Sequence, residues 1–244
     1  MLKICNLSKT YSGSSVKALD GLSLAIEKGE IFGFLGPNGA GKSTAIKCIT
    51  GILSYNDGEI YIDGVDLNKE PVKAKKKIGY VADNHTLYEG LTARQYVDFI
   101  ADIFEVASED RKSRIDKYAE IFKLTDKLDD RISTFSHGMK QKVSVISALV
   151  HEPDVFILDE PMLGLDPAAT FELKKIMLEY ASQGKVVFFS SHILEVVEKL
   201  CTRVGIIDGG KLVAVWDMQE LKEKRSDVSL ENLFLSLTKK EDNK

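Results

Sequence analysis

Cysteine is scarce: the three in 244 residues, Cys5, Cys48 and Cys201, are too few and too scattered for a disulfide framework or a thiolate metal site. A chain of this length buries a full core without such staples, so the expected setting is reducing and intracellular. Long hydrophobic runs are missing as well. The most apolar stretches, Val143 to Val150 and Val155 to Leu158, fall far short of the roughly 20 residues that span a bilayer. Met1 to Tyr11 alternates and carries Lys3, Asn6 and Lys9 where a secretory signal would be apolar, which points to the cytoplasm. Basic charge is not in excess either. With 33 Lys and Arg against 37 Asp and Glu, the net charge is -4, and the chain as a whole has no electrostatic footprint for gripping nucleic acid.

What is present falls into two patterns. The first third reads as short strands joined by glycine-bearing turns, at Leu2 to Leu7, Leu22 to Ile26, Ile31 to Leu35, Glu59 to Ile62 and Ile78 to Val81. A helix after Gly41 interrupts them, with Ala45, Ile46 and Ile49 at helical spacing and Gly51 as its stop. From Thr92 the period changes. Tyr96, Phe99, Ile100, Ile103 and Phe104 share one helical face, Thr92 and Gln95 form a capping box, and a second helical face follows at Ile115, Tyr118, Ala119 and Phe122. The strand pattern resumes at Val155. Residues 84–152 are therefore expected to form a helical subdomain inserted into an α/β core, within a single domain spanning residues 1–238. Beyond it come a helix from Pro167 to Ser182, a strand from Val186 to Phe189, a helix from Ile193 to Leu200 and a hairpin about Asp208, Gly209 and Gly210. The charged tail, residues 239–244, is expected to be disordered.

Two segments carry chemistry. Gly36, Pro37, Asn38, Gly39, Ala40, Gly41, Lys42, Ser43 and Thr44 follow a strand and open a helix, the context that a phosphate-binding loop requires. Glycines let backbone N–H groups converge on an anion, and the helix N-terminus adds partial positive charge. Lys42 is placed to reach the terminal phosphates and the Ser43 hydroxyl to ligate Mg²⁺. Downstream, the strand Val155 to Leu158 runs into the adjacent acids Asp159 and Glu160, where an open α/β sheet presents ligand-binding groups. Alternation along a strand would give them different parts, Asp159 in the Mg²⁺ shell and Glu160 polarising a water aimed at the γ-phosphate. An acidic pair alone is more often a solvated edge or a helix cap; the upstream loop favours the functional reading. The Asn-Lys-x-Asp sequence that a GTPase would carry after its acidic strand is absent.

Phe135-Ser136-His137-Gly138-Met139-Lys140-Gln141-Lys142, shortly before the acidic strand, resembles the signature segment of ATP-binding cassette (ABC) proteins in a variant found among bacterial exporter subunits. Gly164-Leu165-Asp166-Pro167 is similar to the family's D-loop and Ser190-Ser191-His192 to its switch-histidine segment. The ending from Ser229 to Leu235 resembles the close of single-cassette subunits of the ABC-2 export type. The resemblance covers nearly the whole chain. It implies an α/β fold, a P-loop NTPase core of the ABC type with an N-terminal antiparallel β region and an inserted helical subdomain. It also implies ATP and Mg²⁺ as cofactors and a head-to-tail dimer with a second cassette, in which Ser136 to Met139 meets the γ-phosphate held by the opposing copy. Asp166 belongs to that composite site, and Tyr11, otherwise an ordinary core or surface aromatic, sits where a ring stacks on adenine. His192 is expected to contact the γ-phosphate and the attacking water; Glu160, His192 and Lys42 are the catalytic candidates.

Three positions depart from the family pattern. Asp83 stands where the family usually has Gln; as a carboxylate it is the stronger Mg²⁺ ligand, yet it brings negative charge close to the γ-phosphate, and a coupling role at the join of core and helical subdomain is the better expectation. His137 and Met139 alter the signature, and a protonated His137 would strengthen the inter-subunit phosphate contact. The expected function is an ATP-hydrolysing subunit that drives export through a separate integral membrane permease, peripheral on the inner face of the membrane. The alternative is a soluble cassette acting on ribosomes or nucleic acid.

Overall fold

The structure, a computed structural model, describes residues 1–84, 87–224 and 230–238. The N-terminal alternation becomes two long antiparallel strands, β1 (Leu2–Thr10) and β2 (Lys17–Ile26), in which Leu2, Ile4 and Leu7 face Ile26, Leu24 and Leu22 across the ladder, all buried. β3 (Ile31–Leu35) is buried throughout and leads into α1 (Lys42–Ile49). β4 (Asp57–Ile62) and the two-residue β5 (Val65–Asp66) complete a four-stranded antiparallel sheet in the order β2-β1-β4-β5. A five-residue helix, α2 (Pro71–Lys75), precedes β6 (Ile78–Val81); the proline at its first turn lacks only an N–H that would have no helical partner there.

From β6 to the next strand the chain is helical. α3 (Ala93–Ile103) and α4 (Ser108–Ile121) are followed by 3-10 turns at Thr125–Lys127 and Ile132–Thr134 and then by α5 (His137–Leu149). Thr92 and Gln95 form the reciprocal capping box. β7 (Val155–Leu158), α6 (Pro167–Ser182), β8 (Val186–Ser191) and α7 (Leu194–Leu200) return to the sheet. The hairpin β9 (Arg203–Asp208) and β10 (Lys211–Asp217) follows, then α8 (Met218–Lys224) and α9 (Leu230–Thr238). The tail 239–244, expected to be disordered, lies outside the described residues, as do Ser229 and His85.

The main sheet has the order β10-β9-β3-β8-β7-β6, with every neighbouring pair parallel except the β9-β10 hairpin. Its central strands are covered on both faces, which is why they read as continuous apolar runs. Ile31, Leu35, Phe156, Leu158, Val187 and Phe189 point into a core shared with α3 to α7. Their alternates Phe32, Phe34, Val155, Ile157, Val186 and Phe188 point into a second core shared with α1 and the antiparallel sheet. Phe188 anchors the second, packed against Phe32 at 6.0 Å and Phe34 at 5.4 Å between ring centroids. Because β3, β7 and β8 are parallel, the residues after them emerge at one edge of the sheet.

On α3 the buried seam is Ala93, Val97 and Ala101, not the stripe of large residues that the sequence makes conspicuous. Small side chains let α3 approach α5 closely, and part of the wide apolar face stays outward: Phe99 remains 40% and Ile103 54% exposed, while Tyr96 and Ile100 pack half-buried against the helix-side core.

His151, just beyond α5, ties this region to the sheet. Its Nε2–H donates to the Ile78 carbonyl at 3.0 Å and its ring stacks on Phe104 with centroids 3.7 Å apart. Burial, with a smaller push from the Lys185 and Arg114 charges, lowers its pKa from 6.5 to about 4 against the opposing pull of the Ile78 carbonyl. The unfolded chain therefore takes up a proton first as the pH falls. This contribution to stability is complete above pH 6.5 and is lost progressively toward pH 4. Urea midpoints measured at pH 7 and pH 4.5 should drop further for the native chain than for His151→Gln; equal drops would show that His151 is not the group responsible.

Candidate functional site

The loop between β3 and α1 frames a cleft of about 720 Å³. Its turns depend on glycine at two positions. A Cβ on Gly36 would collide with the Ile207 carbonyl, and one on Gly41, at φ 108°, would lie 2.6 Å from the Ala18 carbonyl. Gly36, Pro37, Asn38, Gly39, Gly41, Lys42, Ser43 and Thr44 line the cleft, while Ala40 is buried beneath the loop and its carbonyl accepts from Gly210 N–H at 3.0 Å. The Lys42 ammonium folds back onto the loop, donating to the carbonyls of Gly36 at 2.7 Å and Pro37 at 3.2 Å. Tyr11, 44% exposed, lines the cleft, and its hydroxyl hydrogen-bonds with Thr44 Oγ1 at 3.1 Å.

Asp83, Glu160 and His192 line the same cleft. Simple strand alternation does not account for the two acids, because β7 ends at Leu158. Asp159 continues inward, 1% exposed, with its N–H on the Val81 carbonyl. Glu160 then takes a left-handed conformation, φ 48°, which a residue with a Cβ adopts only at a conformational cost of order 1 kcal/mol or more. Ser190 holds both: its hydroxyl donates to Asp159 Oδ1 at 2.6 Å and accepts from Glu160 N–H at 2.9 Å. Turned this way, Glu160 Oε2 accepts from His192 Nδ1–H at 2.9 Å.

The signature residues do not line this cleft. Ser136 caps α5, its hydroxyl accepting from Met139 N–H at 3.3 Å. The start of that helix is fastened to the segment after Glu160. Gln141 Nε2 donates to the Pro161 carbonyl at 2.9 Å, and a Cβ on Gly138 would lie 2.6 Å from the Gly164 carbonyl. The His137 ring occupies the space a side chain on Gly164 would need. Lys142 pairs with Asp166 at 2.9 Å, and Asp166 in turn caps α6 by accepting from Ala169 N–H at 2.8 Å. That N–H, helped by Lys142, holds the Asp166 carboxyl below the usual carboxylate range.

Sequence reasoning did not single out Ser190 as the clamp on the acids, nor Leu163, Leu194 and Phe234 as cleft walls. Ser190 stands on β8, two residues before His192, and could have been found by pairing β8 with β7; Phe234 carries no such signal.

The family model for ABC transporters matches residues 19–163. The linearmycin resistance ATP-binding protein LnrL of Bacillus subtilis (strain 168) is 38% identical over 91% of this chain and 70% of its own length. Among solved structures, an ATP-binding subunit of an ABC transporter superposes with a TM-score of 0.91 at 31% identity, covering 97% of this chain and 99% of that one. A dimeric ATP-binding cassette in a post-hydrolysis state bound to ADP and Pi gives 0.82 at 26% identity, over 89% and 99%. The chain belongs to the ABC transporter family. It is an ATP-binding, ATP-hydrolysing subunit.

Gly36→Ala should lower ATP affinity by roughly tenfold or more, since the added methyl can be relieved only by shifting the loop backbone or the β9 end. Equilibrium binding of ATP measures this; unchanged affinity would mean that the loop tolerates the shift.

Proposed function

We propose that this subunit energises export through a separate membrane permease by closing on ATP as a dimer and reopening after hydrolysis. The single observation that carries the reading is the Glu160–His192 hydrogen bond facing the phosphate loop across one cleft. Lys42 exchanges its two loop carbonyls for the terminal phosphates of ATP. Ser43, Asp159 and Asp83 offer hydroxyl and carboxylate oxygens, the hard donors that suit Mg²⁺. When bound, Mg²⁺ would neutralise charge developing on those phosphates. Glu160 polarises the attacking water, His192 holds the carboxylate and contacts the γ-phosphate, and Tyr11 offers its ring to adenine.

The capped N-terminus of α5, carrying Ser136, His137, Gly138 and Met139, is an anion-attracting end that does not line its own chain's cleft. We assign it to the ATP of a second cassette; that a similar cassette is dimeric with ADP and Pi bound supports a two-cassette assembly. The membrane partner is assigned to the apolar surface beside α3, where that helix meets α5 and β6. Leu87, Tyr96, Ile100, Phe104 and Tyr80 line a groove of about 250 Å³ there, and Tyr88, 59% exposed, stacks edge-on with Tyr96 and Phe99 beside it. A contiguous apolar patch of this kind marks an interaction surface. Asp83 lies between the two sites, lining the cleft a few residues before Leu87, and is assigned to coupling. No helix among the described residues is long and apolar enough to cross a membrane; the export role places the subunit at the cytoplasmic face, bound through its partner.

Glu160→Gln should retain ATP binding, favour the closed dimer on size-exclusion chromatography, and hydrolyse ATP about 10²-fold or more slowly. Retained turnover would contradict the assignment of Glu160. Detergent extraction should bring down an integral membrane protein with the native chain and lose it with Phe99→Glu, while RNA or ribosomal proteins in its place would favour the soluble alternative.

A further inference from the structure

The C-terminal helix α9 takes no part in the scheme above, yet it reaches the site. Its first N–H, on Leu230, donates to Glu198 Oε1 of α7 at 3.0 Å, and Leu230 itself is buried. Leu233, Phe234 and Leu237 then pack against the helix-side core. Phe234 forms part of the cleft wall together with Glu160, Leu163, His192 and Leu194.

His192 is held by its bond to Glu160 and by the turn in which Ile193 N–H donates to Ser191 Oγ at 3.0 Å. It lies between the end of β8 and the start of α7, its side chain is 53% exposed, and it is followed by the exposed Ile193. Where the imidazole sits therefore follows from where α7 sits. α7 has only seven residues, with Val196, Val197 and Leu200 buried. On its inner side Val197 lies against β3 at Gly33, and the helix packed along it is α9.

The geometry points to α9 as a brace that holds α7, with Phe234 the positioning residue that keeps His192 against Glu160. The brace acts on hydrolysis rather than on ATP capture, since α9 is fastened to α7, the helix that follows His192, while the phosphate loop is held by β9, β2 and its own glycines. This inference rests on the proposed roles of Glu160 and His192.

The test is a double-mutant cycle read by steady-state and single-turnover ATP hydrolysis. Phe234→Ala should lower kcat about 5- to 20-fold with KM for ATP within about twofold, and Phe234→Leu, which keeps an apolar wall, should recover to within about twofold of native. In a His192→Ala background, adding Phe234→Ala should cost less than about twofold. Equal losses in both backgrounds would overturn the brace, as would a raised KM at unchanged kcat or an unaffected Phe234→Ala. If His192→Ala alone leaves kcat intact, the reading of His192 itself fails; if His192→Ala is slow and Phe234→Ala is not, only the brace fails. Should Phe234→Ala not fold, Glu198→Ala, which removes the acceptor for Leu230 from outside the cleft, is measured through the same cycle with the same expected direction.

Discussion

One hydroxyl holds the chemistry of this protein in register. Ser190 donates to Asp159 and accepts from the backbone of Glu160, so a single side chain on β8 fixes both acids at the end of β7. A buried carboxylate without such a partner would carry an uncompensated desolvation cost, and a left-handed Glu160 without an anchored N–H would relax toward ordinary backbone angles. The clamp exists because β7 and β8 are adjacent and parallel, with Leu158 opposite Phe189. The same strand that supplies Ser190 delivers His192 two residues later. Strand pairing, acid placement and the histidine contact are thus one constraint seen at three scales.

The sheet isolates that constraint from the two surfaces it serves. Each central strand sends alternate side chains into separate cores, so the antiparallel layer and the helical layer are each joined to it by interlocked packing of near-crystalline density. Small displacements at the strand ends cannot be absorbed by slack in the interior. They are carried to the helices that leave those ends, α6 and α7, and through Gln141 and Lys142 to the start of α5. The signature helix and the acidic loop of one chain are therefore fastened to each other, although they are assigned to different ATP molecules.

Much of this was legible from the residues. The phosphate loop follows a buried strand and opens a helix because Gly36 to Thr44 permits nothing else as readily, and β3, β6 and α6 begin and end where the apolar runs and Pro167 indicate. The capping box at Thr92 was equally plain. What escaped depended on tertiary context. α2 and β5 are too short for periodicity to register. The large apolar face of α3 suggested burial, but close packing through Ala93, Val97 and Ala101 decided which face went inward. Glu160 departs from strand alternation because a partner 30 residues away holds its backbone. Phe234 stands nearly 200 residues from the phosphate loop with which it lines a cleft.

The crowding around the phosphate loop has a thermodynamic meaning of its own. Gly36 lies against the Ile207 carbonyl, Gly41 and Gly210 against the backbone at Ala18, and the Ala40 carbonyl is bonded to Gly210. The loop is thus wedged between the β9 end and the edge of the antiparallel sheet, and its conformational entropy is surrendered when the chain folds. Nucleotide arrives at a backbone that has few alternatives left to lose, so the favourable contacts made to its phosphates are not spent on ordering the cradle.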